Sequence, residues 1–160
     1  MTGCARRYPD RLRLPLAFDP HRLAADLKRL DDASWTPHFI TRNYSGAWDA
    51  IPLRAPEGAE HPILMIAAHP GAEFTDAPAL CHTPYFREVL ATLACPVSSV
   101  RLMRLGAGAS ILEHRDPGLC VEEGNVRLHV PILTNPDVHF HVNGRTVAML
   151  PGEVWYLRLS

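Results

Sequence analysis

A histidine and an aspartate two residues apart, His114 and Asp116, are the side chains of this sequence best suited to metal chemistry. They stand where an apolar stretch gives way to a Pro-Gly pair. Residues i and i+2 of an extended strand point to the same side, so an imidazole nitrogen and a carboxylate oxygen could approach one cation. Completed by a second imidazole, such a pair forms a facial triad that leaves three positions on Fe(II) open. The tripeptide alone is common, so it needs support from its surroundings.

A second pair, Arg127 and His129, follows on a segment that alternates with the apolar residues Leu128 and Val130. Arginine and histidine would then share one face of a strand, and the apolar residues the other. Such a face fits the mouth of a β-barrel that binds an acid. A polar face turned to solvent explains the same pattern, and for this segment alone it is the simpler interpretation.

Two other metal hypotheses have less support. His139 and His141 form an H-x-H pair of the kind that cupins place on a barrel strand, but Arg145 stands where a cupin motif would have a glutamate. A solvent-facing polar stripe explains this pair more simply. A mixed Cys/His zinc site near Cys120 is not favoured, because the spacing matches no zinc pattern.

The first part of the chain carries helix signals. Asp19-Pro20 predicts a helix start, and leucines at helical spacing extend it to about residue 32. Thr83-Pro84 predicts a second helix that ends before Pro96. We expect residues 1–14 to be poorly ordered and residues 15–96 to form a helical or mixed N-terminal part.

From residue 97 onward short apolar segments alternate with turn signals. Strands are predicted near residues 100–105, 109–113, 125–133, 138–142, 146–150 and 154–159, and Asn143-Gly144 is a strong hairpin signal. The chain is therefore expected to be one domain, mainly β with N-terminal helices. Its core over 97–160 would be a double-stranded β-helix, that is, a jelly-roll or cupin-like fold.

Composition narrows the possible partners. The 160 residues carry a formal net charge of −1, and 47% are hydrophobic, so neither a nucleic-acid nor a membrane partner is indicated. No apolar run is long enough for a transmembrane helix, and no signal-peptide pattern is present. The cysteines Cys4, Cys81, Cys95 and Cys120 are widely spaced, and we expect reduced thiols in a cytoplasmic protein.

Taken in order, several motifs resemble the aspartyl/asparaginyl β-hydroxylase family, to which the cis-proline hydroxylases are related. The resemblance covers roughly residues 35–160. It is carried by WTPH at 35–38, YSGAWDAIPL at 44–53, RLMRLGAGASILEHRD at 101–116, RLHVPI at 127–132, VNGR at 142–145 and PGEVWY at 151–156.

The resemblance implies an Fe(II)- and 2-oxoglutarate-dependent dioxygenase with a double-stranded β-helix fold. His114 and Asp116 match the first two iron ligands. His129 matches a histidine that helps to hold 2-oxoglutarate, and Arg127, beside it in the same motif, is expected to help to hold it too. Trp48 matches a residue near the co-substrate or substrate. The implied reaction is hydroxylation of an amino acid, free or within a peptide or protein. A degenerate β-helix or cupin-like module that binds a small acid or peptide is the alternative.

The family pattern also implies a second iron histidine and a 2-oxoglutarate arginine, both expected beyond Ser160. Our first explanation is that the sequence is truncated, and the second is a short member that has lost activity. The third is that His139 or His141 substitutes, although both precede the Asn143-Gly144 turn. Oligomeric state is not predicted.

Overall fold

The computed structural model describes residues 8–67, 69 and 71–160, and these residues are mainly β. The helices are α1 Pro20–Leu27, α2 Pro62–Ile66, α3 Pro78–Cys81 and α4 Pro84–Ala91, with short 3-10 helices at Asp32–Ser34, Thr41–Asn43 and Val121–Glu123. The strands are β1 Arg11–Ala17, β2 Thr36–Pro37, β3 Tyr44–Ser45, β4 Trp48–Pro56, β5 Phe74–Asp76, β6 Val100–Leu105, β7 Ser110–Ile111, β8 Arg127–His129, β9 Phe140–Val142, β10 Arg145–Val147 and β11 Glu153–Leu157.

The chain divides into two compact units. The first unit contains Met1–Ala24 and His114–Ser160, and the second contains Ala25–Glu113. The single domain over residues 1–160, with its parts 15–96 and 97–160, stays a prediction. No helix in the described part of the chain has the length and apolar character needed to span a membrane.

The first unit is built on an antiparallel sheet in the order β1-β11-β8. A separate hairpin joins β9 and β10 through Asn143 and Gly144, whose φ angles of 49° and 71° are both left-handed. That backbone suits a two-residue hairpin, so the prediction from Asn-Gly is confirmed. The hairpin contributes Val142 and Val147 to a buried cluster with Leu157 of β11.

The second unit is centred on β4, which runs antiparallel to β6 along one edge and to β2 and β5 at the two ends of the other. Its buried side chains form much of the core of this unit: Ala50, Ile51, Leu53 and Ala55. A further ladder pairs β3 with β7.

Both long N-terminal strands differ from the sequence-based expectation. Residues 8–14 belong to the lead expected to be poorly ordered, yet Arg11–Ala17 is β1 and pairs with β11; residues 1–7 lie outside the described part. The Arg-Leu-Arg-Leu alternation has the period of an edge strand, which the arginine-rich composition concealed. β4 was missed because Pro52 and Pro56 argue against a central strand. A register shift toward β6 between Pro52 and Arg54 accommodates the first of these prolines.

The helices follow their proline signals more closely. α4 begins at Pro84 and ends before Pro96, as predicted. α1 begins at Pro20 but ends at Leu27 instead of residue 32, because the amides of Arg29 and Leu30 bond to carbonyls three residues back.

A buried carboxylate connects these two helices. Asp26 of α1 is 3% exposed and accepts hydrogen bonds from the backbone amides of Tyr85 at 2.6 Å and Phe86 at 3.0 Å. The first amides of a helix have no partner within the helix. Asp26 therefore supplies the cap that Thr83, the residue before α4, does not make with its own side chain.

Candidate functional site

The predicted site residues of the first unit come from two backbone segments, one paired with β11 and one bonded to the chain just past its end. β8 lies antiparallel to β11, with His129 opposite Trp155 and Arg127 opposite Leu157. Residues directly opposite each other in a ladder extend from the same face of the sheet. Arg127 and His129 therefore share a face with Trp155 and Leu157, which both pack in or against the apolar cluster.

His129 is the most enclosed polar group of this face. Its ring contacts Phe140 of β9 edge-on, with centroids 5.4 Å apart and planes at 69°. Its Nε2 is out of reach of solvent and makes no hydrogen bond within the described residues. Burial, and after it the charge on Arg127, lower the pKa of His129 to about 4, and the charge on Asp116 opposes them. The imidazole is therefore neutral at physiological pH.

The segment that carries His114 and Asp116 is tied to the chain just past the end of β11. The backbone amide of Asp116 donates a hydrogen bond of 2.7 Å to the carbonyl of Leu159, and the amide of Leu159 donates one of 3.4 Å to the carbonyl of Leu119. These bonds fix the backbone of the aspartate at a point close to β8. Neither bond was foreseen, since backbone pairing outside strands leaves no pattern in the sequence.

The carboxylate of Asp116 joins the two segments. Its Oδ2 accepts a hydrogen bond of 2.5 Å from Nη1 of Arg127, and its Oδ1 lies 3.9 Å from Nε2 of His114. The three side chains are 29–30% exposed, so they are accessible to a ligand yet partly removed from water. The structure thus brings together His114, Asp116 and Arg127, and it places His129 two residues from Arg127 on the same strand.

The donor chemistry of this cluster fits a partial site for a divalent cation. One imidazole and one carboxylate are ligands that Fe(II) accepts. Nε2 of His114 and Oδ1 of Asp116 are 3.9 Å apart, whereas two ligands side by side on one ion at distances of about 2 Å are about 3 Å apart, so the two side chains must approach each other by about 1 Å to share an ion. Within the described residues no group of three or more His, Cys, Asp or Glu side chains could hold a metal. Of the three donors of a facial triad, this part of the chain brings together only the two predicted ones, His114 and Asp116.

Trp48 lies in the second unit. It is 6% exposed, and its ring stacks on that of His38 with centroids 3.8 Å apart. Tyr44 contacts both rings edge-on, and its hydroxyl donates to the carbonyl of His38. The structure shows Trp48 packed within an aromatic group. The contact of Trp48 with a co-substrate or substrate stays a prediction.

The rival histidine pair has a simple structural explanation. His139 and His141 are exposed, with ring centroids 6.4 Å apart, and Nδ1 of His141 lies 3.2 Å from the hydroxyl of Thr146 on the neighbouring strand. They belong to no cluster of three metal ligands in the described residues.

The cysteines follow the expectation only in part. Cys81 and Cys95 are free and exposed. Cys120 is fully buried and disulfide-bonded, so the expectation of a reduced thiol is wrong for this residue. Spacing along the chain does not report which sulfur atoms the fold brings within bonding distance. Cys4 lies outside the described residues.

Comparison with protein families places the whole of this site inside one match. Residues 19–159 match a family model described as aspartyl/asparaginyl beta-hydroxylase. The match covers the second unit and most of the first, and it includes all five predicted site residues: Trp48, His114, Asp116, Arg127 and His129. A comparison with curated proteins finds no match.

Proposed function

The chain belongs to the aspartyl/asparaginyl β-hydroxylase family, and from that premise we propose that it is an Fe(II)- and 2-oxoglutarate-dependent hydroxylase. The proposed substrate is an amino acid, free or within a peptide or protein. The observation that carries the proposal is the pairing of Nε2 of His114 with Oδ1 of Asp116 at 3.9 Å, in a segment anchored beside β11.

His114 and Asp116 are proposed to hold the iron, with a further imidazole completing the triad. When bound together, iron and 2-oxoglutarate supply the chemistry that puts one atom of O2 into a substrate C–H bond and the other into succinate, with release of CO2. The protein contributes the position of the two ligands and a partly water-excluded setting, since their side chains are about 30% exposed.

The proposed co-substrate site lies on the neighbouring face of β8. The neutral ring of His129 has a buried Nε2 with no partner in the described residues, and a buried polar atom without a partner is costly unless a ligand satisfies it. A carboxylate of 2-oxoglutarate is the acceptor that we propose for that nitrogen. Arg127 adds a positive charge on the same face, and Trp48 is kept as a predicted contact.

The proposed fold is a double-stranded β-helix. Antiparallel pairing throughout, the β9–β10 hairpin and the sheet β1-β11-β8 support it, because jelly-roll folds are built from antiparallel strands joined by short turns.

The partners and location of the protein form part of the same proposal. A net charge of −1 disfavours a nucleic-acid or anionic-membrane partner, so a small molecule or peptide is proposed instead. A cytoplasmic location is consistent with the free thiols Cys81 and Cys95, whereas the disulfide at Cys120 is more typical of an oxidising compartment.

A binding module without turnover is the second candidate. The described residues contain no third metal ligand, and the carboxylate of Asp116 is already in an ion pair with Arg127. A site that keeps its arginine and histidine but not its iron would still bind a small acid.

Anaerobic spectroscopy separates the two candidates. The protein at its natural length is given Fe(II) and 2-oxoglutarate without oxygen, and the expected result is a metal-to-ligand charge-transfer band in the visible. His114→Ala and Asp116→Ala should each abolish that band, whereas His139→Ala, a histidine outside the cluster, should keep it. If the wild-type protein binds 2-oxoglutarate but shows no band, the binding module is the correct reading.

Substrate class is then tested by turnover. Succinate release is measured with a panel of free amino acids and with peptides that contain the same residues. Stimulation by one class above the uncoupled background identifies it, and no stimulation by either class contradicts the proposed substrate.

A further inference from the structure

We propose that Arg127 is a positioning residue for the iron ligand Asp116, and that it selects the carboxylate oxygen that faces the metal. The inference rests on the proposed function. It departs from the role that the family resemblance implied for Arg127, which was to help hold 2-oxoglutarate.

The geometry distinguishes the two oxygens of Asp116. Oδ2 accepts the 2.5 Å hydrogen bond from Nη1 of Arg127, whereas Oδ1 is the oxygen on the side of His114. A hydrogen bond between a guanidinium and a carboxylate is charge-assisted and stronger than one between neutral groups. Binding through Oδ1 alone lets the ion pair survive, whereas binding through both oxygens requires Oδ2 to leave Arg127.

The aspartate is held at two points before any metal binds. The backbone amide of Asp116 is bonded to the carbonyl of Leu159, and its carboxylate is bonded to Arg127 on β8. Arg127 in turn is fixed by the pairing of its strand with β11, opposite Leu157. Together these contacts hold the carboxylate plane, so little side-chain freedom is lost when a cation binds. Partners that orient a metal ligand in this way typically change metal affinity about 10- to 100-fold.

A pure charge effect and a positioning role predict opposite changes in metal affinity when Arg127 is removed. If Arg127 acted only through its positive charge, removing it would raise the affinity for a cation, because a like charge would be gone. If it orients Asp116, removing it lowers the affinity. If it binds only 2-oxoglutarate, the affinity for the metal in the absence of 2-oxoglutarate does not fall.

The test is the affinity of the protein for Co(II), and for Fe(II) without oxygen, measured by calorimetry in the absence of 2-oxoglutarate. We expect Arg127→Met to weaken binding about 10- to 100-fold. Arg115→Met is the matched control: it removes the same charge one residue from Asp116, from an exposed arginine, and should leave affinity unchanged or slightly higher. Unchanged or stronger binding by Arg127→Met would overturn the inference.

Two further variants separate positioning from a general effect on the fold. In a double-mutant cycle, Arg127→Met should cost little more once Asp116→Asn is present, because both changes act through one carboxylate. Additive losses would mean that Arg127 acts elsewhere. Arg127→Lys keeps the charge without the planar fork and should recover part of the affinity. Thermal unfolding of each variant identifies any that is misfolded. If Arg127→Met is misfolded, the affinity of Arg127→Lys for Co(II) is the test instead, and an affinity equal to that of the wild type overturns the inference.

Failure of the proposed function gives a different pattern. In that case the wild-type protein and Arg115→Met both fail to bind Co(II) or Fe(II), and the positioning role is overturned together with the iron site. Failure of the inference alone leaves wild-type binding intact and Arg127→Met equal to it or tighter.

Discussion

At the scale of single residues, the site depends on how the fold changes side chains that are ordinary in the sequence. His129 is one of nine histidines, and its buried place beside Phe140 and opposite Trp155 makes it neutral and enclosed. Asp116 is one of many acids, and its bonds to Arg127 and to the Leu159 carbonyl give it a defined orientation. Burial and contacts, more than residue type, therefore decide which residues are suited to chemistry.

The first prediction concerns the pH dependence contributed by His129. Its pKa is about 4 in the folded protein and 6.5 for an ordinary histidine, so the unfolded chain binds more protons between these values. The contribution of the neutral ring to the free energy of unfolding is fully present above pH 6.5 and is lost as the pH falls to about 4. The full difference is worth roughly 3 kcal/mol.

Urea unfolding at pH 7 and at pH 4.5 measures this contribution. The loss of stability on acidification should be smaller in His129→Gln, which cannot titrate, than in the wild type. Exposed His139→Gln should lose as much as the wild type. Equal losses in all three proteins would show that His129 titrates normally.

At the scale of elements, the turn that leads into β11 is fixed by a close contact between two backbone segments. Gly152, with φ +83°, precedes β11, and its carbonyl accepts a hydrogen bond from the amide of Phe18. A Cβ on Gly152 would lie well inside the contact distance of the Phe18 carbonyl oxygen. The turn therefore requires glycine for its conformation and also for space.

The second prediction compares Gly152 with Gly144, a turn glycine that has free space around it. Gly152→Ala should be at least about 2 kcal/mol more destabilising than Gly144→Ala, because the latter has a similar φ of +71° but an added Cβ meets nothing within 4 Å. Gly144→Ala alone should cost about 1–2 kcal/mol, the strain of a left-handed backbone. Denaturant unfolding gives both values, and equal losses would mean that the backbone at Gly152 shifts freely.

The third prediction concerns the cap that Asp26 places on α4. Asp26→Ala leaves the amides of Tyr85 and Phe86 without their buried acceptor and should cost about 2–4 kcal/mol. Asp31→Ala removes an acid that makes no side-chain cap and should change stability by less than about 0.5 kcal/mol. The free energy of unfolding measures both, and a small loss in Asp26→Ala would contradict the role of the cap.

At the scale of the whole molecule, ligands should report on the site through global stability. A ligand that binds only the folded state stabilises it by mass action, by about 2.7 kcal/mol at 100 times its Kd. This relation needs no knowledge of the substrate. It applies to both candidate functions, which differ in whether a metal is required.

The fourth prediction is that Co(II) raises the thermal midpoint of the wild-type protein and that 2-oxoglutarate raises it further. Asp116→Ala should lose the metal effect, because one of the two proposed ligands is gone. His141→Ala should retain it. If the metal effect persists in Asp116→Ala and disappears in His141→Ala, the exposed histidine pair is the metal site.

The sequence by itself determined the features that depend on neighbouring residues. Asn143-Gly144 predicted the hairpin and Thr83-Pro84 the start of α4, because left-handed φ angles and proline restrict the local backbone. The order of motifs also identified the family that the match over residues 19–159 shows.

Only the tertiary structure decided the contacts between distant segments. β1 and β4 exist because other strands pair with them, against the composition of one and the prolines of the other. Likewise the bond from Arg127 to Asp116 requires β8, β11 and the segment before Cys120 to lie side by side. Contacts between segments so far apart in the sequence leave no periodic pattern in it. The H-x-D spacing predicted two donors on one side of a strand. Which oxygen faces the histidine, and which residue holds the other, follows from long-range packing alone.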